Sequence, residues 1–508
     1  MPQGLLGFQY EREKKERGLT VFGGIGPYLD LFKALGLARL LDREVGMSQG
    51  DQGYRDSEIG IALILLNIVG GECVEDIDRL ELDEGLRRLY RKLIRKRKCD
   101  DRRFRRRTER VFPSASVIFR YLERFSDGGE GLQGEAVIPA GVLEKQRLFC
   151  SLNRKVVGRF QGYMPERVAT IDQDGTLVET YKESALYGYK GYKAYHGLNA
   201  YWFERKLMMH TEFRPGNVPA NHDLLRPLKE ALAGLPEGVK EVRYRADGAG
   251  YQQELLKYLD EEVKEGSDEV KRRFGRVRFA VSCPMTDAFR SAILLDKDLE
   301  WRPLDFDHNG RALPWGREWA EVCYVPSFVC GSKEGLEFRY FVTRQLLSER
   351  VLPGLEANKV LPFPVLEFNR KQYKVFGVVT NGDGEGSEII RWHDERCGKS
   401  EEAHAILKHD LAGGRFPSGK FGANAAWWWF AVLAFNLQSI MGRVALGDGW
   451  RFRRMKAIRY HLIHLPGRIM KRSNRLIVRL SIDHDKLQWL LSIREKIVAL
   501  ARGPCLSE

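Results

Sequence analysis

Three acidic residues lie far apart in the chain, each in a setting suited to chemistry: Asp174, Asp247 and Glu401. Asp174 is near the end of the alternating stretch VATIDQDGTLVE and precedes Gly175-Thr176; Asp172 is its same-face neighbour two residues back. Asp247 closes the stretch EVRYRAD and precedes the glycine turn GAG. Both read as carboxylates at the ends of strands, where α/β sheets build their sites. Glu401 opens the helical pattern KSEEAHAILKHDL. At helical spacing Lys408 comes within about 20° of it around the axis, and His404 lies between them. This polar strip adjoins Ala403, Leu407 and Leu411, which predicts that Glu401 sits at the edge of a buried interface. Phosphodiester chemistry can use such a set: two metal ions roughly 3.5–4 Å apart hold the attacking and leaving oxygens. Oxygen ligands suit Mg²⁺, with Mn²⁺ as the alternative, and Lys408 would meet a phosphate as a point charge. Singly, each acid has a plainer reading as a turn residue, a cap or a complement to a helix dipole. Asp172 stands either as a further ligand or as a partner to the turn, and His393 and His404 read as supporting residues.

The elements that must position these acids follow from periodicity. Two strand-like stretches, LNAYWF and KLMMHTEF, follow the Asp174 stretch; then come the turn RPGNVPAN, the helix DLLRPLKEAL, the strand EVRYRAD and the helix YQQELLKYLDEE. Three strands followed by alternating helix and strand is the order of an RNase H-like α/β core. Between the second and third acids VRFAVSC, AEVCYV, FRYFVTR and KVFGVVT read as strands of a β-rich insertion, some returning to the core sheet. The expected boundaries are a helical, basic region over 1–130, a first core part over 165–270, the insertion over 271–390, a second core part over 391–445, and a basic C-terminal region over 446–508. Within the first region, Ile25 to Leu41, Ser57 to Val69 and Val74 to Leu82 carry helical patterns.

Charge points to a polyanionic partner. The 508-residue chain carries 83 Lys and Arg against 69 Asp and Glu, a net charge of +14. The excess is clustered: Arg87 to Arg110 holds fourteen basic residues. Arg95, Lys96, Arg97, Arg105, Arg106 and Arg107 are its candidate phosphate contacts, acting by counterion release without reading sequence. A second basic run follows Gly449. The mixed stretch YGYKGYKAYHGLNAYWFERK suits either base stacking or core strands. Trp427, Trp428 and Trp429 cannot share one helix face and read as packing, whereas Trp301, Trp315 and Trp319 are candidates for holding a displaced base. Eight scattered cysteines form neither a CxxC pair nor a zinc spacing. The glycine clusters lack a Walker lysine, so no nucleotide cofactor is expected. The first residues lack the apolar run of a signal peptide, and Ile59 to Val69 is too short to span a bilayer; no membrane partner and a cytoplasmic location are expected.

Several of these stretches together carry a family resemblance. ATIDQDGT, RPGNVPAN, YRADGAGY and, longest, CGKSEEAHAILKHDLAGGRFPSGKFGANAAWWWFAVLAFNL resemble segments of bacterial insertion-sequence DDE transposases of the cut-and-paste group. LTVFGGIGPYLDLFKALGLARLLD resembles their N-terminal domain, so the likeness spans about 20 to 480. It implies an enzyme that binds the terminal inverted repeats of its element as double-stranded DNA and cleaves them with two metal ions. The freed 3′ ends would then be joined to target DNA, within a homodimeric synaptic complex on the bacterial nucleoid. By carry-over Asp174, Asp247 and Glu401 form the triad and Lys408 is the phosphate-binding lysine, with Glu402 second to Glu401. The resemblance departs at Arg396: four residues separate it from Glu401 where the family pattern has three, and Trp392 or His393 falls where that pattern has Tyr. Arg396 is carried over as a further phosphate contact. A nuclease of the same fold that cuts without joining, and a DNA-binding protein whose catalysis has lapsed, are the alternatives.

Overall fold

In a computed structural model the described residues are 17–48, 53–94, 110–126, 138–262, 268–326, 338–347, 363–450, 453–473 and 475–502. Fourteen strands occur among them. In chain order they are β1 (Leu19–Thr20), β2 (Val168–Glu179), β3 (Leu186–Tyr187), β4 (Lys193–Trp202), β5 (Leu207–Pro215), β6 (Glu241–Ala246) and β7 (Arg278–Cys283). They continue with β8 (Arg302–Pro303), β9 (Glu318–Val322), β10 (Arg339–Leu346), β11 (Val365–Phe368), β12 (Lys371–Thr380), β13 (Gly467–Arg472) and β14 (Arg475–Leu480). Eleven form one mixed sheet, running β3-β4-β2-β6-β7-β12-β10-β9-β8, with β5 also on β4 and β11 on β12. The molecule is thus mixed α/β. Every strand within 271–390 joins this same sheet.

β4 lies antiparallel to both β2 and β5, whereas β6 runs parallel to β2 and β7 parallel to β6. The β2–β6 ladder ends at the pair Gln173–Ala246. Asp174 and Asp247 are therefore the next residues on two adjacent parallel strands. The alternation along β2 does not divide core from solvent, because helices cover both faces: Ala169, Thr170, Ile171, Asp172 and Gln173 are all buried. Strands covered on both sides need apolar or internally paired residues at successive positions.

The helix Phe421–Met441 is the main support of the sheet. Trp427, Trp428 and Trp429 are each fully buried. Their indole N–H groups donate to Ala412 O at 2.9 Å, Thr211 Oγ1 at 2.9 Å and Gln146 Oε1 at 3.4 Å. Three directions of packing from one helix turn confirm their structural role. A Cβ on Gly197 of β4 would lie 2.7 Å from the Trp428 ring, so only glycine lets the helix come this close. With the turn after it, this helix is long and apolar enough to cross a bilayer, and most of it is buried in the protein.

Other elements depart from expectation for local reasons. The pattern from Ile25 to Leu41 forms two helices, Gly26–Ala34 and Leu37–Glu44, because Gly36 takes a left-handed conformation (φ 58°). A 24-residue helix, Ala140–Tyr163, occupies a stretch with no expected element. Its buried face includes Gln146, Asn153 and Gln161, which blurs the apolar period. Gln146 and Asn153 are bonded to the backbone of β5, and Asn153 also to Asn436. The N-terminal helices share one continuous hydrophobic core with the Phe421–Met441 helix. β1 pairs with β13, tying the two ends of the described chain together.

Candidate active site

Asp174 is half-way between core and solvent, its side chain 17% exposed. Its carboxyl is pushed up to about 7, first by burial and then by the negative charges of Asp247 and Glu401, against the opposing charge of Arg396. Asp247 and Glu401 therefore both lie near enough to Asp174 for their charges to act on it. Asp247 caps the turn Gly248–Gly250, its Oδ1 accepting from Ala249 N–H at 3.0 Å. Glu401 caps its own helix, Lys399–Ala405, accepting from Gly398 N–H at 2.7 Å. Glu401 is exposed, not at a buried edge as its spacing predicts. The helix is only seven residues long, and the residues facing the sheet are Ser400, Ala403 and His404. Glu402 lines a small cavity with Tyr201, Lys206 and Arg453.

Lys408 is not on a regular α-helix. The helix passes into a π-turn over Ile406–Asp410, which widens the spiral and changes the angle between Glu401 and Lys408. Lys408 Nζ donates to Thr176 Oγ1 at 3.0 Å, two residues beyond Asp174 on β2. Burial, and then the charge of Lys190, holds its ammonium below the usual lysine range, while Asp174 opposes them. His404 Nδ1 stands 4.0 Å from Asp174 Oδ2. Burial and the charges of Lys408 and Arg396 depress its pKa to about 3, so it is neutral at pH 7. His196 of β4 is likewise depressed to about 4, by burial and then Arg214. A Cβ on Gly175 would lie 2.3 Å from His196 Nε2, which gives the Asp-Gly pair its reason.

Arg396 enters the site despite its shifted spacing: its Nη1 is 3.7 Å from Asp174 Oδ2. Its Nε and the hydroxyl of Ser400 are buried polar groups with no hydrogen-bond partner among the described residues. Asp172, left open between a further ligand and a structural partner, is engaged by an arginine. It is fully buried, and its two oxygens accept from Arg245 Nε at 2.7 Å and Nη2 at 3.0 Å. Burial pushes the Asp172 carboxyl up, and Arg245 opposes that shift. Arg245 also donates to the carbonyl of Trp392, reaches Glu395 Oε2 at 3.4 Å and stacks on Phe203 at 4.4 Å. It thereby fixes the end of the helix Gly386–Asp394, the segment that delivers Arg396. His393 is a structural tie, within 3.2 Å of Ser282 Oγ and 3.3 Å of Ala246 O.

The clamp residue Arg245 and the Thr176 partner of Lys408 escape the sequence reading. The signal for the first was an arginine in the interior of a buried strand, two residues before Asp247, which requires an acid opposite. Among the displaced-base candidates, Trp319 is buried against Phe341 and Trp301 is stacked under Arg344 at 3.9 Å; Trp315 is exposed. Arg95, Lys96, Arg97, Arg105, Arg106 and Arg107 lie outside the described residues. As the side chains stand, no three His, Cys, Asp or Glu among the described residues are grouped closely enough to hold a metal ion. The donor chemistry nevertheless suits a divalent cation: two further carboxylates lie near Asp174, and each accepts one hydrogen bond from its own backbone turn among the described residues.

No family model and no curated protein matches the chain. Among solved structures, it is similar to a piggyBac transposase in a synaptic complex with hairpin DNA, at a TM-score of 0.40 and 9% identity over 88% of this chain and 81% of that one.

Proposed function

We propose that the protein is a DDE-type DNA transposase of insertion-sequence kind, with Asp174, Asp247 and Glu401 as its catalytic carboxylates. The observation that carries the reading is geometric: the parallel strands β2 and β6 end side by side at Asp174 and Asp247, and His404 of the Glu401 helix stands 4.0 Å from Asp174. The strand order β5-β4-β2-β6-β7, three antiparallel strands followed by two parallel ones, supports an RNase H-like core with the acids at its strand ends. Asp174, Asp247 and Glu401 would hold two Mg²⁺ ions, which supply an activated water and charge neutralisation at the phosphate. Lys408, set by Thr176, presents an ammonium to the DNA backbone beside Asp174. Arg396, with a buried donor still unpaired, presents a guanidinium to the same phosphate. His404, neutral, adds no charge to compete with either. The substrate would be double-stranded DNA ending in the element's inverted repeats, bound by a homodimer in the bacterial cytoplasm, with the 3′ ends passed to target DNA.

The decisive experiment incubates the purified chain with Mg²⁺ and labelled DNA carrying the inverted repeats that flank its gene. Nicked ends and joined products are expected, and both should vanish with Asp247→Ala or Glu401→Ala. Activity retained by either variant sinks the assignment. Cutting without joining would reduce the reading to a nuclease. A second reading, a DNA-binding protein with lapsed catalysis, draws on Arg396 beside Asp174 and on Glu401 bonded to its own helix. Metal-dependent cleavage by the wild type excludes it.

A further inference from the structure

The chain leaves the strand of Asp174 through an exposed excursion over residues 180–192 before it returns as β4. Tyr187 and Tyr189 are 66% and 74% exposed there, whereas Tyr195, just beyond, is fully buried. The excursion is built, not loose. Thr180 N–H donates to Lys193 O, Gly188 N–H to Tyr192 O and Ser184 N–H to Gly419 O, the last joining it to the loop after the Glu401 helix. Lysines accompany the rings: Lys190 Nζ is 5.8 Å from the Tyr189 ring centre and Lys193 Nζ 5.9 Å from that of Tyr187. The group borders the acidic site: the excursion starts directly after β2, the strand of Asp174, whose Thr176 accepts from Lys408 at 3.0 Å. Tyr181 is also exposed, but its hydroxyl is held by Glu179 at 3.1 Å.

Large rings left in water beside ammonium groups suit a polymer that alternates flat apolar faces with negative charges. Unpaired DNA has that form, whereas a duplex hides its base faces by stacking. We propose that Tyr187 and Tyr189, with Lys190 and Lys193, form a rim that stacks the unpaired bases of a single DNA strand next to the carboxylate site. This rests on reading that site as a DNA-processing centre.

The test is fluorescence anisotropy of the full chain in EDTA, with a labelled single-stranded thymidine oligonucleotide and a labelled duplex of equal length. Tyr187→Ala with Tyr189→Ala should weaken single-strand binding roughly 10- to 100-fold, as loss of base stacking does, and leave duplex binding within about twofold. Tyr187→Phe with Tyr189→Phe should bind both DNAs like the wild type. Absence of single-strand binding by the wild type, an unaffected alanine variant, equal losses on both DNAs, or a phenylalanine variant as weak as the alanine one would each overturn the rim. Asp247→Ala, measured alongside, should bind the single strand normally in EDTA. If Asp247→Ala retained cleavage in Mg²⁺, the catalytic assignment would fail while the binding result stood.

Discussion

Asp174 carries two opposed demands. With its carboxyl near pH 7 instead of 3.8, the folded chain holds a proton that the unfolded chain releases at lower pH. Stability without metal should therefore decline as pH rises from about 4 to about 7 and then level off, a loss on the order of 4 kcal/mol. Asp174→Asn removes that dependence. In EDTA at pH 8 the variant should melt above the wild type, while Mg²⁺-dependent cleavage disappears. Added Mg²⁺ should raise the wild-type melting temperature and leave that of Asp174→Asn unmoved. Equal melting of the two proteins in EDTA would show that an ionised Asp174 does not burden the fold. The other two acids each accept a backbone N–H: Asp247 serves its turn and Glu401 its helix. Freeing either costs about 1 kcal/mol, small beside what metal ligation returns.

At the level of elements, the site depends on how the segment after Thr380 is locked to the sheet. The Asp172–Arg245 pair is the lock, since Arg245 also takes the carbonyl of Trp392 at the end of the helix before Arg396. Both members are fully buried, so removing one strands a charge in the core. Asp172→Ala should destabilise by about 3–5 kcal/mol. Replacing both residues by leucine should recover much of the melting temperature, because two unpaired burials are avoided. A normal melting curve for Asp172→Ala combined with lost cleavage would instead return Asp172 to the ligand set. The sequence made Asp172 and Asp174 look equivalent, since period-2 spacing places both on one face. What separates them is Arg245, on a strand 73 residues away, and no local pattern carries that information. The π-turn at Lys408 was hidden for a related reason: an extra residue in a helix turn leaves the apolar positions readable but changes the angles between polar ones.

Across the whole molecule, the strands nearest the acids were legible because strand-like stretches there are separated by turns, and their order followed directly. Composition changes along the chain without marking where cores end. The helix Asp56–Val69, in the helical, basic region expected over 1–130, is buried along its whole length. Gly60 in that helix is where the two parts meet: a Cβ there would lie 2.9 Å from Leu41 and 3.2 Å from Phe430 of the tryptophan-bearing helix. A shared core has a thermodynamic consequence. If the N-terminal helices cannot open without exposing Phe421–Met441, they cannot melt first, and the described regions should unfold in one cooperative transition. Gly60→Val overfills this seam and should cost about 1–3 kcal/mol. Calorimetry should show the whole transition moving to lower temperature, with near-ultraviolet circular dichroism of the buried tryptophans changing in step. A separate early transition in the variant, with the tryptophan signal unchanged until the main one, would mean that the N-terminal helices form an autonomous unit and that the continuous core does not make the molecule cooperative.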